Sequence, residues 1–200
     1  MLIEWKDLNL DGKVDRLLHV GGHLAEEKPV YSDGGVGEVV WVEADPVRSQ
    51  QIRELTGDHV ICAVVGDVEK EIVFHEANNG QSSSILELGT HKQMHPEVHY
   101  VSEVTVTMRR LDDLLAVDNM QPFDMINFDI QGAELLALQG LGEYLNYVKY
   151  AYLEVNREPL YQGACLVDEL DSYLSGFDRV ETVWTPFGWG DAFYVRKGSV

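Results

Sequence analysis

The 200-residue chain has two cysteines, Cys62 and Cys165, far apart and without metal-ligand spacing. Both read as buried free thiols of a reducing compartment. No apolar run approaches the roughly 18 residues needed to span a membrane. The opening Met1-Leu-Ile-Glu-Trp-Lys-Asp7 has no uninterrupted apolar core, so it does not read as a secretory signal. Positive charge is scarce too: 15 basic residues face 34 acidic ones, a net charge of −19. That field repels a phosphate backbone or an anionic membrane surface, and small basic pairs such as Arg109-Arg110 do not offset it. A neutral or cationic small molecule is the easier partner, although an acidic solvated surface needs none. The expectation is a soluble, cytoplasmic protein with no nucleic-acid and no membrane partner.

Repeats, linkers and low-complexity segments are also missing, which predicts one domain over residues 1–200, with residues 1–15 as an N-terminal extension. Apolar runs predict strands at residues 16–20, 39–43, 59–65, 125–128 and 150–156, alternating with helical stretches. Alternating residues 71–76 and 104–107 read as extra strands, and residues 180–184 and 191–196 as a final hairpin-like pair. Five strands alternating with helices, then two strands without one, indicate an α/β fold. Its sheet is mostly parallel and seven-stranded with an antiparallel C-terminal edge, and helices cover both faces.

Two stretches resemble metal sites. Residues 7–15, Asp-Leu-Asn-Leu-Asp-Gly-Lys-Val-Asp, match the first nine positions of a calcium loop. The twelfth position, where a bidentate Glu belongs, is Leu18, so a polar turn at Asp11-Gly12 competes with that reading. The long polar segment from Ala77 to Tyr100 carries His91, His95 and His99 at intervals of four, which one helix face would align. Pro96 interrupts such a helix, and a mobile substrate loop is the favoured reading, so no metal is assigned.

The centre of the chain is residues 123–140, where the buried strand Met125–Phe128 ends on Asp129 and passes through Gln131-Gly132 into a helix ended by Gly140. Ligands of open α/β sheets sit at such corners, at the carboxyl ends of the strands. Asp129 is either a site carboxylate or a cap for the following helix. Two other corners share the pattern. Gly21-Gly22 follows the first strand, and Glu43 ends the second, 21 residues after Gly22. A carboxylate there can accept hydrogen bonds from two neighbouring ribose hydroxyls. A Gly-x-Gly-x-x-Gly turn and a Walker lysine are both missing, which counts against a dinucleotide or a nucleoside triphosphate.

Taken in order, residues 18–25 (Leu-His-Val-Gly-Gly-His-Leu-Ala), 42–46 (Val-Glu-Ala-Asp-Pro), 63–67, Ser82 to Ser84, 110–113, 127–134 (Asn-Phe-Asp-Ile-Gln-Gly-Ala-Glu), 153–155 and 190–195 resemble the FkbM family of methyltransferases. The resemblance implies a Rossmann-like methyltransferase fold. It also implies methyl transfer from S-adenosylmethionine to a hydroxyl of a sugar, polyketide or other small metabolite. It places Gly21, Gly22 and His23 at the methionine end of the cofactor and Glu43, followed by Ala44, at the ribose. Ala63 and Val64 lie near the adenine, and Ser84, Asp129 and Gln131 close the site. The family commonly has Asp at His19, Asn at His23, Gly at Ala25 and Glu at Gln131.

The reaction needs an oxygen held in line with the methyl group in a site with little water, and a base for its proton. Asp129 is the first choice for that base, with Glu134, Glu154 and the loop histidines, His95 among them, as other candidates. Glu154 or Asn156, ending the strand at 150–156, is expected to orient the acceptor. Glu134 also reads as an ordinary first-turn acid. Trp184, Phe187 and Trp189 either stack on a sugar face or belong to the core. Two rival functions remain: a degenerate binding or scaffold domain, motivated by His19, Ala25 and Gln131, and a nucleotide-linked reductase. DNA methylation lacks both its Pro-Pro-aromatic and its Pro-Cys motif.

Overall fold

A computed structural model describes residues 1–199, apart from the side chains of His91 and Gln93. The strands are β1 (Arg16–Val20), β2 (Glu38–Glu43), β3 (His59–Cys62), β4 (Val64–Val65), β5 (Lys70–Ala77), β6 (Tyr100–Arg109), β7 (Met125–Phe128), β8 (Tyr150–Asn156), β9 (Phe177–Trp184) and β10 (Trp189–Arg196). The helices are α1 (Lys28–Asp33), α2 (Pro46–Thr56), α3 (His91–Met94), α4 (Leu111–Val117), α5 (Glu134–Gly140) and α6 (Val167–Tyr173). The main sheet has seven strands in the order β3-β2-β1-β7-β8-β10-β9. It is parallel as far as β8 and antiparallel over β10 and β9, as the strand and helix pattern predicts.

β7 is short but lies between β1 and β8, and all four of its residues are buried. A strand covered on both faces reads as a continuous apolar run because alternate side chains enter two different cores. Ile126 and Phe128 join one cluster with Leu18, Val40 and Leu153, while Met125 joins the other with Leu17, Trp41 and Tyr152. The first fifteen residues add Ile3, Trp5, Leu8, Leu10 and Val14 to that second cluster. Leu8, Leu10 and Val14, apolar positions of the calcium-like stretch, are therefore anchored in the interior. Helix α2 starts where Asp45 accepts from the N–H groups of Val47 and Arg48 at 2.7 and 3.2 Å, with Pro46 in the first turn. Such a cap stabilises a helix by about 1 kcal/mol.

Gly140 ends α5 as expected, with Leu141 as the following cap residue. The structure departs from the sequence reading in three places. The apolar run 59–65 is two strands: β3 stays in the main sheet, while β4 pairs with β6 in a separate three-stranded sheet of order β4-β6-β5. Cys62 is exposed, because β3 is the edge strand of the main sheet; only Cys165 is buried. Helix α3 spans only His91–Met94, so His95 and His99 lie beyond it and the three histidines do not share one helical face. The His91 side chain lies outside the described residues. The β5–β6 hairpin and the segment joining its strands form a flap over the carboxyl ends of the central strands.

Candidate functional site

A cavity of about 560 Å³ opens where β1, β2, β7 and β8 end, and residues 79–85 form part of its wall. Eleven of the residues expected at the site line it: Gly21, His23, Glu43, Ala44, Ala63, Val64, Ser84, His95, Asp129, Gln131 and Glu154. Gly22 is behind the wall. Its N–H donates to the Val42 carbonyl at 3.2 Å, and its α-carbon packs against Ile52 and Trp41, so it supports the turn.

The first corner is built around close backbone approach. Gly21 has φ +90°, and a β-carbon there would lie 1.9 Å from the Asp129 carbonyl oxygen. That conformation and spacing leave room only for glycine. Glu43 faces the turn and is 8% exposed. Its carboxylate accepts from the N–H of His23 at 2.8 Å and from the N–H of Asp45 at 2.9 Å. Burial raises its pKa, and those two backbone donors oppose the rise. Each Glu43 oxygen uses one lone pair on the protein and retains another. His23 itself is at φ 44° and its ring pairs with Glu26 at 2.6 Å.

Behind this corner, His19 is buried, stacked on Trp41 at 4.7 Å between ring centres, with Nδ1 3.0 Å from the Tyr31 hydroxyl. The Asn127 amide donates to the same hydroxyl at 2.6 Å. With that oxygen accepting from Asn127, its own proton points to His19 Nδ1, which leaves the His19 proton on Nε2. Burial pushes the His19 pKa down to about 4, so the ring is neutral near pH 7. The position thus holds a neutral hydrogen-bonding ring directly behind the Gly21 turn.

The second corner holds a group of carboxylates. Asp129 lines the cavity and is exposed to it, so the burial that acts on its carboxyl is that of the cavity walls around it. The Gln131 amide donates to Asp129 Oδ1 at 2.6 Å and to Glu154 Oε2 at 3.1 Å. Burial, and after it the charge of Asp191, raises the Asp129 pKa; hydrogen bonds from Gln131 and Glu154 oppose the rise. Glu154 is raised much further, by burial and then by the charges of Asp129, Glu134 and Asp191. Of the two, Asp129 is thus the more readily ionised. Glu134 lies wholly inside, where one oxygen accepts from the N–H groups of Ile130 at 3.0 Å and Gly132 at 3.1 Å. It braces the turn before α5 and lies outside the cavity lining, with burial pushing its pKa up to about 7.

Tyr161 and Asp191 line the cavity and escape a reading of the sequence. Tyr161 is buried and donates to Gln131 Oε1 at 2.7 Å. Asp191 lies across from Glu154 in the β8–β10 pairing and accepts from the Tyr152 hydroxyl. An acid inside the otherwise apolar run Ala192-Phe-Tyr-Val195 was the available signal for Asp191; no local pattern marks Tyr161. On the outer wall, His95 meets the Phe187 ring edge-on at 4.9 Å, and Trp189 also lines the cavity. Trp184 is engaged elsewhere, under the Arg157 guanidinium at 4.0 Å. Asn156 is buried outside the lining, so of the two residues expected to orient an acceptor only Glu154 reaches the cavity. On the flap, His75, Glu87 and Glu103 bring one ring nitrogen and two carboxylates within 4.8 Å. The two acids face opposite ring nitrogens, Glu87 at 3.7 Å and Glu103 at 3.5 Å, so no one nitrogen is shared by both.

The family model for the methyltransferase FkbM domain matches residues 19–180. The chain belongs to the FkbM methyltransferase family. A curated relative, the 2-O-methyltransferase NoeI of Sinorhizobium fredii, is 27% identical over 149 residues, which are 69% of this chain and 61% of the relative. The match thus spans less than two thirds of that relative's length. Among solved structures, magnesium protoporphyrin IX methyltransferase from Synechocystis PCC 6803 with bound SAM aligns with a TM-score of 0.51 at 10% identity, covering 96% of this chain and 74% of that one. A SAM-dependent methyltransferase from Aquifex aeolicus aligns with a TM-score of 0.51 at 13% identity, covering 96% and 86%. At these identities the likeness is one of fold: this FkbM chain has the fold of S-adenosylmethionine-dependent methyltransferases, in agreement with the cofactor expected from its sequence. Among the described residues no helix is long and apolar enough to cross a membrane.

Proposed function

We propose that the protein transfers a methyl group from S-adenosylmethionine to a hydroxyl of a sugar or another small metabolite. The observation that carries this reading is the convergence, on one cavity, of the Gly21–Glu43 corner and of Asp129 and Glu154, which share the Gln131 amide as donor. The residues fit the cofactor. Glu43 has a free lone pair on each oxygen for two neighbouring ribose hydroxyls. The bare α-carbon of Gly21 and the backbone of His23 admit the methionine end, and Ala44, Ala63 and Val64 offer small apolar surface to the adenine. Acidic residues around the cavity suit a cofactor with a positive sulfur and an ammonium group. Bound there, S-adenosylmethionine supplies a methyl group whose carbon–sulfur bond breaks, leaving its electron pair on sulfur, as the acceptor oxygen takes the carbon.

The rest is the work of the chain. Asp129 accepts the proton of the acceptor hydroxyl, a role that needs an ionised carboxylate within hydrogen-bond reach. Glu154 holds its own proton beside Asp129 and orients the acceptor. His95 and Phe187 bound the outer side, and the flap keeps water out. Oxygen as the acceptor atom is supported by the 2-O-methyltransferase relative, and a neutral or cationic acceptor by the −19 net charge. The test has two stages. Calorimetric titration with S-adenosylmethionine should show saturable binding, and its absence up to millimolar concentration would remove the reading. Transfer of an isotopic methyl label to a panel of neutral glycosides and phenols should then yield a methyl ether; binding without label transfer would favour a binding domain instead.

A further inference from the structure

Gln131 makes four hydrogen bonds at the floor of the cavity. Its side-chain N–H groups reach Asp129 at 2.6 Å and Glu154 at 3.1 Å, its side-chain oxygen accepts from Tyr161 at 2.7 Å, and its backbone carbonyl accepts from Ser84 at 2.9 Å. The amide can face only one way: two carboxyl oxygens need its nitrogen, and the Tyr161 hydroxyl donates to its oxygen. The backbone at this residue is left-handed, φ 57°, an arrangement uncommon outside glycine and the short polar residues, so the side chain is aimed by a constrained turn.

We propose that Gln131 is a positioning residue that keeps Asp129 and Glu154 as an unequal carboxyl pair, Asp129 as the free base and Glu154 as the proton-bearing partner. One amide supplies a donor to each acid, so both can lie close together while a single proton sits between them. A glutamate at the same place would set a third acid against the pair, and an apolar side chain would leave both acids without a donor. The other ionisable groups facing the pair are Asp191 from β10, Glu134 from α5, Glu27 before α1, Tyr31 from α1 and Tyr161 from the loop after β8. Two cations line the same cavity, each with an acid of its own: the N-terminal ammonium with Glu27 at 3.7 Å and Arg48 with Asp45 at 3.2 Å. The amide is the neutral donor that Asp129 and Glu154 share, and the asymmetry of the pair depends on it.

The asymmetry matters to the reaction because a general base works only in its ionised form. This inference rests on methyl transfer at the same cavity, and its test includes an arm that needs no turnover. Carbon-13 NMR of the side-chain carboxyls in the free protein should show Asp129 ionising before Glu154. In Gln131→Met, which keeps the bulk without the donors, the Asp129 midpoint should rise by about one pH unit. Gln131→Glu should raise it further. Tyr161→Phe, which frees the amide without touching either acid, should shift it in the same direction by less. In the active protein, the acid limb of the kcat profile should follow the Asp129 midpoint in each variant, with S-adenosylmethionine affinity changed less than threefold. Coincident wild-type midpoints, or midpoints that stay put in all folded variants, overturn the proposal. So does a large loss of cofactor affinity with unmoved midpoints, which makes Gln131 a cofactor ligand. Shifted midpoints in a protein that transfers no methyl group uphold the pair and count against methyl transfer alone.

Discussion

Gly21 and Asp129, each just past the end of one of two neighbouring parallel strands, are in such close contact that a β-carbon on the first would lie 1.9 Å from the carbonyl oxygen of the second. The Asp129 N–H also donates to the Val20 carbonyl at 3.0 Å, so the two corners are one unit. Substituting Gly21→Ala should destabilise the protein by about 3 kcal/mol, through the strained backbone and the displaced corner together. Gly22→Ala should cost less, because there the nearest atom is a flexible Ile52 methyl at 3.0 Å and φ lies outside the left-handed region. Urea denaturation of both variants checks the order, and equal losses would separate the two corners.

Ala25 is buried in the same turn with φ 56°. A left-handed backbone costs an alanine about 1–2 kcal/mol, whereas glycine adopts it freely and loses some of that gain to its more flexible unfolded chain. Ala25→Gly should therefore stabilise the protein by about 0.5–1 kcal/mol. The expected readout is a higher urea midpoint with an unchanged slope. A lower midpoint would mean that packing of the Ala25 methyl outweighs backbone strain.

His19 and Glu134 set opposing pH dependences. The folded pKa of Glu134 rises from 4.5 to about 7, so its contribution to stability is complete below pH 4.5 and is lost as pH rises through 7. The folded pKa of His19 falls from 6.5 to about 4, so its contribution is complete above pH 6.5 and is lost as pH falls through 4. Each shift corresponds to roughly 3 kcal/mol across its window. Relative to wild type, Glu134→Gln should gain stability between pH 4.5 and pH 7, and His19→Gln should lose it from pH 4 to pH 6.5. Chemical denaturation across pH 4–8 would show the two differences sloping in opposite directions. Parallel slopes would contradict these assignments.

Glu43 is the residue whose cofactor role is easiest to isolate. Glu43→Gln keeps the shape and one acceptor but loses the charge, and its amide nitrogen must face either the His23 or the Asp45 N–H. S-adenosylmethionine affinity should fall about tenfold to a hundredfold, from a weakened charge-assisted bond and a disturbed turn. Cys165→Ala, a buried change outside the cavity, controls for general loosening. A Glu43 variant with wild-type affinity would remove this residue from the ribose role.

The corners were legible because a strand buried on both faces is apolar throughout, so an acid at its end stands out. Glu43, Asp129 and Glu154 each interrupt such a run, and local sequence suffices to find them. The connection at residue 63 was not legible, since Ile61, Val64 and Val65 are equally apolar and only the pairing with β6 draws the last two into another sheet. Tyr161 reaches Gln131 from 30 residues away through a loop held to Leu88 by an isolated bridge, a contact with no period in the sequence. Cys62 was misread because thiols are usually buried, and edge position in a sheet depends on strand order.

Ser84 joins the flap to the floor of the cavity. Its hydroxyl donates to the Gln131 carbonyl at 2.9 Å and accepts from the Leu86 N–H at 3.1 Å, while its backbone exchanges a pair of hydrogen bonds with His75. Ser84→Ala removes the two side-chain bonds and keeps the backbone pair. Two partners then lose a hydrogen bond in a buried setting, a cost of about 1–2 kcal/mol. The loss is local, so the Leu86 amide should exchange with deuterium about tenfold faster, while the Ser84 and His75 amides retain their protection. Uniformly faster exchange along β5 would instead mean that the hydroxyl supports the whole flap, and unchanged Leu86 exchange would mean that the flap is held by its backbone pairing alone.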